Sequence, residues 1–172
     1  DGTERWEERS YALADVRGVD LVLSDWGVPL IVHTILSFEF ADGRHLAVSI
    51  ETRKEQGEGY SALRGFFRQY ELYYVVADER DVLGVRAAFR GEHLRLYRLR
   101  VAPEAARELL LVYARRIEAL GTKPVWYNAL MASCTSSIRQ CVSELGQAGP
   151  FDWRLLANGR VDELLFENGR LD

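Results

Sequence analysis

The chain has 172 residues, 48% of them apolar, and sets 22 basic against 26 acidic side chains for a net charge of −4. That length favours one domain with a substantial core. The mildly acidic balance argues against sequence-independent nucleic-acid binding, which needs a clustered basic face, and no apolar stretch approaches the roughly 20 residues of a membrane span.

Asp1-Gly2-Thr3 reads as a mature or excised end rather than a native start. Residues 1–19 are polar and weakly patterned and are expected to form an extension; 20–172 are expected to form the domain proper. A short strand is predicted over 19–24, followed by a loop at 25–29. Residues 30–40 are rich in β-branched and aromatic side chains and predict a strand. Asp42-Gly43 is a strong hairpin signal, which makes 45–52 the antiparallel partner. A polar loop over 53–59 and a short helix over 61–69, capped by Ser61, lead to a strand at 70–77. The charged run Asp78-Glu79-Arg80-Asp81 opens a predicted helix through Phe89, and a strand follows at 94–101.

Pro103 sits where a helix start tolerates proline. Leu109, Val112, Tyr113, Arg116, Ile117 and Leu120 then recur at helical spacing, with Gly121 as the expected stop. Residues 126–130 connect to a second amphipathic helix over 133–145, with Ile138, Cys141, Val142 and Leu145 on one face. The end, 153–171, predicts two short helical runs interrupted at Asn158-Gly159 and stopped at Asn168-Gly169. Strands early, helices late and hairpin connections predict an α+β domain with an antiparallel sheet and packed helices.

Cys134 and Cys141 are the two cysteines. Seven residues apart on one helix, their Cα atoms lie roughly 10 Å apart, beyond disulfide reach. No His or Cys sits nearby at ligand spacing, so no metal is expected. Cys141 reads as a small buried hydrophobe. Ser133 is a good N-cap, which places Cys134 in the first helical turn. Unpaired N–H groups there favour thiolate over thiol and can hold an oxyanion. Cys134 is therefore either a packing residue or a nucleophile.

His33, inside an apolar strand, is either a hydrogen-bonded core histidine or a base that activates a thiol. A two- or three-residue turn at Asp42-Gly43 sets His33 opposite Thr52 or Glu51, so a polar side chain on the second strand can orient the ring. His45 and His93 look solvent-facing. The group formed by residues 78–81 with Glu71 and Arg86 reads as a solvated helix start.

Several blocks in this order resemble one bacterial family. They are HTILSFEF at 33–40, SIETRKE at 49–55, GFFRQYELYYVVADERD at 65–81, WYN at 126–128 and CTS at 134–136. Together they resemble the Lnb-type N-terminal periplasmic domain, the family of lipoprotein N-acylating transferases, over roughly residues 26–171. The resemblance implies a circularly permuted papain-like thiol site, with Cys134 as nucleophile, His33 as base and Glu51 orienting the base. It departs from the family at Ser133, where an Asn is usual. The implied reaction moves an acyl chain from a phospholipid, through a Cys134 thioester, to the N-terminal amine of a lipoprotein at a membrane surface. Trp26, Arg53, Trp126 and Ser133 are the candidate substrate-binding residues, and Trp26, Phe66, Phe67 and Trp126 can line an acyl groove. No cofactor, metal or nucleic acid is expected. The location implied is the periplasm, in a membrane-anchored bacterial protein. The alternatives on the same residues are a cysteine hydrolase and a non-catalytic binding module.

Overall fold

A computed structural model describes residues 7–27, 30–53, 71–127, 134–146 and 148–172. The helix expected over 61–69, Phe66, Phe67 and Ser133 lie outside the described residues. The described strands are β1 (Val16–Asp25), β2 (His33–Phe40), β3 (His45–Arg53), β4 (Glu71–Asp78) and β5 (His93–Arg98). They form one antiparallel sheet in the order β4-β3-β2-β1-β5. The helices are α1 (Glu79–Gly84), which runs into a π-helical turn (Val85–Phe89), then α2 (Pro103–Thr122), α3 (Cys134–Glu144) and α4 (Val161–Glu167). The α+β class and the antiparallel sheet with packed helices are as expected.

The expected extension is shorter than 1–19. β1 begins at Val16, and Val16 and Val19 are fully buried. Arg17, Gly18 and Asp20 obscure that start in the sequence, because β1 lies inside the sheet and does not alternate cleanly. β2, by contrast, starts later than expected. Leu30 has φ +67, a left-handed conformation that no strand residue adopts, and the strand begins at His33.

The β2–β3 hairpin closes through Ala41, Asp42 and Gly43, with the Phe40 N–H donating to the Arg44 carbonyl at 2.9 Å. Gly43 takes φ +79, the left-handed position that ends such a three-residue loop. The helix expected to stop at Gly121 continues to Thr122, since one glycine in a last turn costs only about 1 kcal/mol. Asn158-Gly159 does not interrupt a helix. It begins a 3₁₀ turn (Asn158–Arg160) that feeds α4, and Gly169, at φ +62, follows that helix.

Side chains alternate across the sheet and divide the core in two. One face carries Leu21, Leu23, Leu36, Phe38, Val48 and Ile50 against Leu109, Val112 and Tyr113 of α2 and Cys141 of α3. The other carries Val22, Ile35 and Ala47 against Val82 and Leu83 of α1. Phe38 is fully buried and sets its ring edge-on to Tyr113 at 6.3 Å. Burial of that order is worth roughly 1.5–3 kcal/mol per side chain and fixes the strand register by face.

Candidate active site

The register decides which residue opposes His33. Ile35 pairs with Ser49, so two steps further along the strands His33 stands opposite Glu51 rather than Thr52. Odd-numbered residues of β2 and β3 therefore share one face. On it, His33 Nε2 lies 2.7 Å from Ser49 Oγ and 3.2 Å from Glu51 Oε1. Ser49 Oγ donates to Glu51 Oε1 at 2.6 Å. A hydroxyl has one proton to give, so the Nε2–H of His33 must be the donor to Ser49. That tautomer leaves Nδ1 as the ring nitrogen that neither Ser49 nor Glu51 occupies.

Cys134 is the first residue of α3 and exposes only 7% of its surface. Its sulfur lies 3.9 Å from Thr135 Oγ1, and it couples electrostatically to His33, so that each group shifts the other. Burial raises the Cys134 thiol, but the His33 charge and hydrogen bond, then the Thr34 side chain and backbone, outweigh it and bring the pKa down to about 6. Burial lowers His33, but Cys134 and then Glu51 outweigh it and raise the pKa to about 9. Glu51 is raised by burial and lowered further by His33, Arg86 and Ser49, to about 2. Near neutral pH these directions describe a thiolate and an imidazolium, with a carboxylate behind the ring. Cys141 has the opposite environment. Burial pushes its thiol up to about 11 against the lowering effects of Arg116 and Tyr113, in line with a packing role.

Asn158 holds the two halves of the site in register. Its Nδ2 donates to the Val32 carbonyl at 2.7 Å and to Thr135 Oγ1 at 2.6 Å, and lies 4.0 Å from Cys134 Sγ. Its Oδ1 accepts the Val32 N–H at 2.9 Å. The Gly159 N–H donates to the Leu30 carbonyl at 3.0 Å, and a Cβ on Gly159 would stand 2.8 Å from the Leu30 backbone. One buried amide thus joins the residue before His33 to the residue after Cys134. The Asn-Gly pair did signal a turn in the sequence, but nothing in a linear chain shows that its side chain reaches a strand 126 residues earlier.

Arg86 is also not where the sequence suggests. The charge cluster it belongs to reads as solvated, yet Arg86 is 5% exposed. Its Nη2 reaches Glu51 Oε1, and its Nη1 lies 2.9 Å from Glu92 Oε2. The helical turn carrying it packs back on the sheet, and two part-buried carboxylates serve as its partners. His45 is corrected as well. It is only partly exposed and sits 3.3 Å from Glu79, whereas His93 is exposed as expected.

The remaining candidates gather at the same end of the sheet. Trp26 follows β1 and is 41% exposed; Trp126 bridges to Glu71 at the start of β4 and is 53% exposed. In the strand order Trp26 follows β1, beside β2, whereas Trp126 lies against β4, so β2 and β3 stand between the two backbones. Arg53 is exposed and paired with Glu71 at 3.3 Å.

Fold and site together define an α+β domain that sets a cysteine at a helix start and a hydrogen-bonded histidine–serine–glutamate array on two neighbouring strands. The chain belongs to the family described as the Lnb N-terminal periplasmic domain, whose model matches residues 2–159. No curated protein and no solved structure matches the chain significantly. Among the described residues, no helix is long and apolar enough to cross a membrane.

Proposed function

We propose that this domain is a thiol acyltransferase, which moves an acyl chain from a phospholipid to the N-terminal amine of a lipoprotein through a thioester on Cys134. The observation that carries the reading is Cys134 at the first turn of α3, tied through Thr135 and Asn158 to the start of β2, where His33 is hydrogen-bonded to Ser49 and paired with Glu51. Family membership supports it, as does the resemblance to lipoprotein N-acylating transferases. The order of parts, a histidine strand before a cysteine helix, is that of a papain-like site in circular permutation. The domain would act at the periplasmic membrane surface, as part of a membrane-anchored bacterial protein.

The Cys134 thiolate attacks the ester carbonyl, and a C–S bond forms. The tetrahedral oxyanion takes hydrogen bonds from backbone N–H groups in the first turn of α3. As the ester C–O bond breaks, the imidazolium of His33 gives its Nδ1 proton to the leaving alkoxide. The neutral ring then accepts a proton from the incoming amine, which attacks the thioester carbonyl. The C–S bond breaks, the thiolate returns and an amide is released. Glu51 stays ionised throughout and orients the ring. The low exposure of Cys134 favours transfer over hydrolysis, because a thioester there is shielded from bulk water. Trp26 and Trp126 supply apolar surface on either side for the acyl chain.

The test is intact-protein mass spectrometry after incubation with phosphatidylethanolamine vesicles. An acyl adduct on Cys134 should form, absent in Cys134→Ala and His33→Ala, and should discharge only when a lipopeptide with a free N-terminal amine is added. An adduct that decays in buffer at the rate of turnover supports a hydrolase instead. No adduct on a folded wild-type protein sinks both enzymatic readings.

A further inference from the structure

We propose that Arg86 is a positioning residue that clamps the Glu51 carboxylate against His33, with Glu92 and Ser24 clamping Arg86 in turn. This rests on the thiol-transfer reading of the site and adds to it a residue that lies outside the Cys–His–Glu array.

The contacts close a ring. His33 touches Ser49 and Glu51 on β3; Glu51 takes the guanidinium of Arg86; Arg86 holds Glu92 at 2.9 Å; and the Ser24 hydroxyl donates to the same Glu92 oxygen. Ser24 is the cross-strand partner of His33 in the β1–β2 ladder, which brings the ring back to its start. Backbone geometry reinforces it. The Glu92 N–H donates to the Arg86 carbonyl at 3.0 Å, across a turn in which Gly91 takes φ +65. Arg86 itself sits in a π-helical turn, a rare conformation that recurs at functional sites.

Fold stability is a poor explanation for this arrangement. Burying an arginine between two carboxylates costs desolvation that the ion pairs barely recover, and apolar replacements are often as stable. What the guanidinium offers is a rigid fork that fixes two carboxylates at once, which lysine cannot do. The charged and titratable groups around Glu51 are His33 from β2, Tyr73 from β4 and Arg86 from the π-helical turn. Cys134 lies one step on through His33, and Glu92 and Arg90 one step on through Arg86.

Two effects of Arg86 on His33 have opposite signs, and this makes the proposal testable. As a bare positive charge it would disfavour the imidazolium, so its loss would raise the alkaline limb of Cys134 acylation. As a clamp on Glu51 it favours the imidazolium, so its loss lets Glu51 swing away and lowers that limb. The experiment is single-turnover acylation of Cys134 by phosphatidylethanolamine vesicles across pH 5 to 10, with the His33 ring titrated by NMR in the same proteins. In Arg86→Gln the alkaline limb and the His33 titration should both fall by about one pH unit, with acylation about twofold slower at pH 8 and about tenfold slower at pH 10. Adding Arg86→Gln to Glu51→Gln should produce no further fall. Arg86→Lys keeps the buried charge but not the fork, so its limb should lie between the two and its rate at pH 10 about threefold below wild type. It serves alone if Arg86→Gln does not fold. An unchanged or raised limb in Arg86→Gln, an additive fall in the double variant, or an unaltered Arg86→Lys would each overturn the clamp. Failure of the transfer reading is a separate outcome. It appears in the wild type as a Cys134 that iodoacetamide alkylates no faster than Cys141, while the His33 titration still reports on Arg86.

Discussion

The Glu51 carboxylate reaches the His33 ring by two routes, directly at 3.2 Å and through the Ser49 hydroxyl, which stands 2.7 Å from the ring and 2.6 Å from the carboxylate. Both routes end on Nε2, so together they fix one tautomer and one ring orientation. A ring held on one nitrogen leaves the other outside both contacts.

The double attachment predicts unequal costs for the two partners. Ser49→Ala removes the bridge but leaves the direct contact, and turnover should fall by less than about tenfold. Glu51→Gln removes the anion and offers the ring an amide of ambiguous polarity, so turnover should fall by about 10- to 100-fold, within the range lost when a positioned acid or base is disturbed. Cys134→Ala and His33→Ala should leave none. Single-turnover acylation, with circular dichroism to confirm folding, measures all four. A Ser49→Ala loss as large as that of Glu51→Gln would show that the hydroxyl, not the carboxylate, holds the ring.

The shifted groups define a pH window. The thiolate forms as pH rises through about 6, and the imidazolium that protonates the leaving alkoxide is lost as pH rises through about 9, so acylation of Cys134 should be bell-shaped between those limbs. Glu51, held near 2, adds no third limb in that range. Stability follows the same signs. Glu51 is depressed from 4.5, so its contribution is complete above that pH and is lost as pH falls toward 2. His33 is raised from 6.5, so its contribution is complete below that pH and is lost as pH rises toward 9. Urea midpoints between pH 2 and 5 should therefore fall less steeply in Glu51→Gln than in wild type. At pH 7, thiolate fractions set by pKa values of about 6 and 11 differ by roughly four decades. The lower nucleophilicity of the more acidic thiol returns about two of them, leaving Cys134 about 100-fold faster than Cys141 toward iodoacetamide. An acylation rate that climbs steadily to pH 10 would mean an ordinary thiol with no imidazolium beside it.

Much of this arrangement is legible in the chain, and the limits are physical. Asp42-Gly43 sets a hairpin, and the hairpin sets His33 against Glu51 to within one residue; only the three-residue loop closed by Gly43 removes the ambiguity. Ser133 and the apolar spacing after it place Cys134 at a helix start because capping and periodicity are local. Arg86 is different. Its neighbours Glu79, Arg80 and Asp81 carry the pattern of a solvated turn, and its burial depends on Glu51 and Glu92, which lie 35 and 6 residues away. Asn158 fails for the same reason at longer range. Residues whose role is set by neighbours in sequence could be read, and residues whose role is set by a partner brought in by the sheet could not.

Gly159 offers a test of whether strand entry controls the site. A methyl group there would lie 2.8 Å from both Cα and C of Leu30, a backbone approach that no flexible side chain can relieve. Leu30 is already at φ +67, and the Gly159 N–H holds its carbonyl at 3.0 Å. Gly159→Ala must therefore push the 30–32 segment away, loosening the Asn158 bonds to Val32 and moving the first residue of β2. The expected cost is about 1–3 kcal/mol in unfolding free energy, the range for overpacking and for buried polar groups left unpaired. Cys134 alkylation should slow by about tenfold or more, because hydrogen bonds in such a site degrade with displacements of about 1 Å. Leu30→Gly relieves the left-handed strain and should recover part of the stability in the double variant. Urea unfolding and alkylation rates measured together decide the matter. If Gly159→Ala loses stability while Cys134 keeps its full reactivity and pH profile, then the turn at 158–160 supports the fold only, and the start of β2 is held in place by the sheet itself.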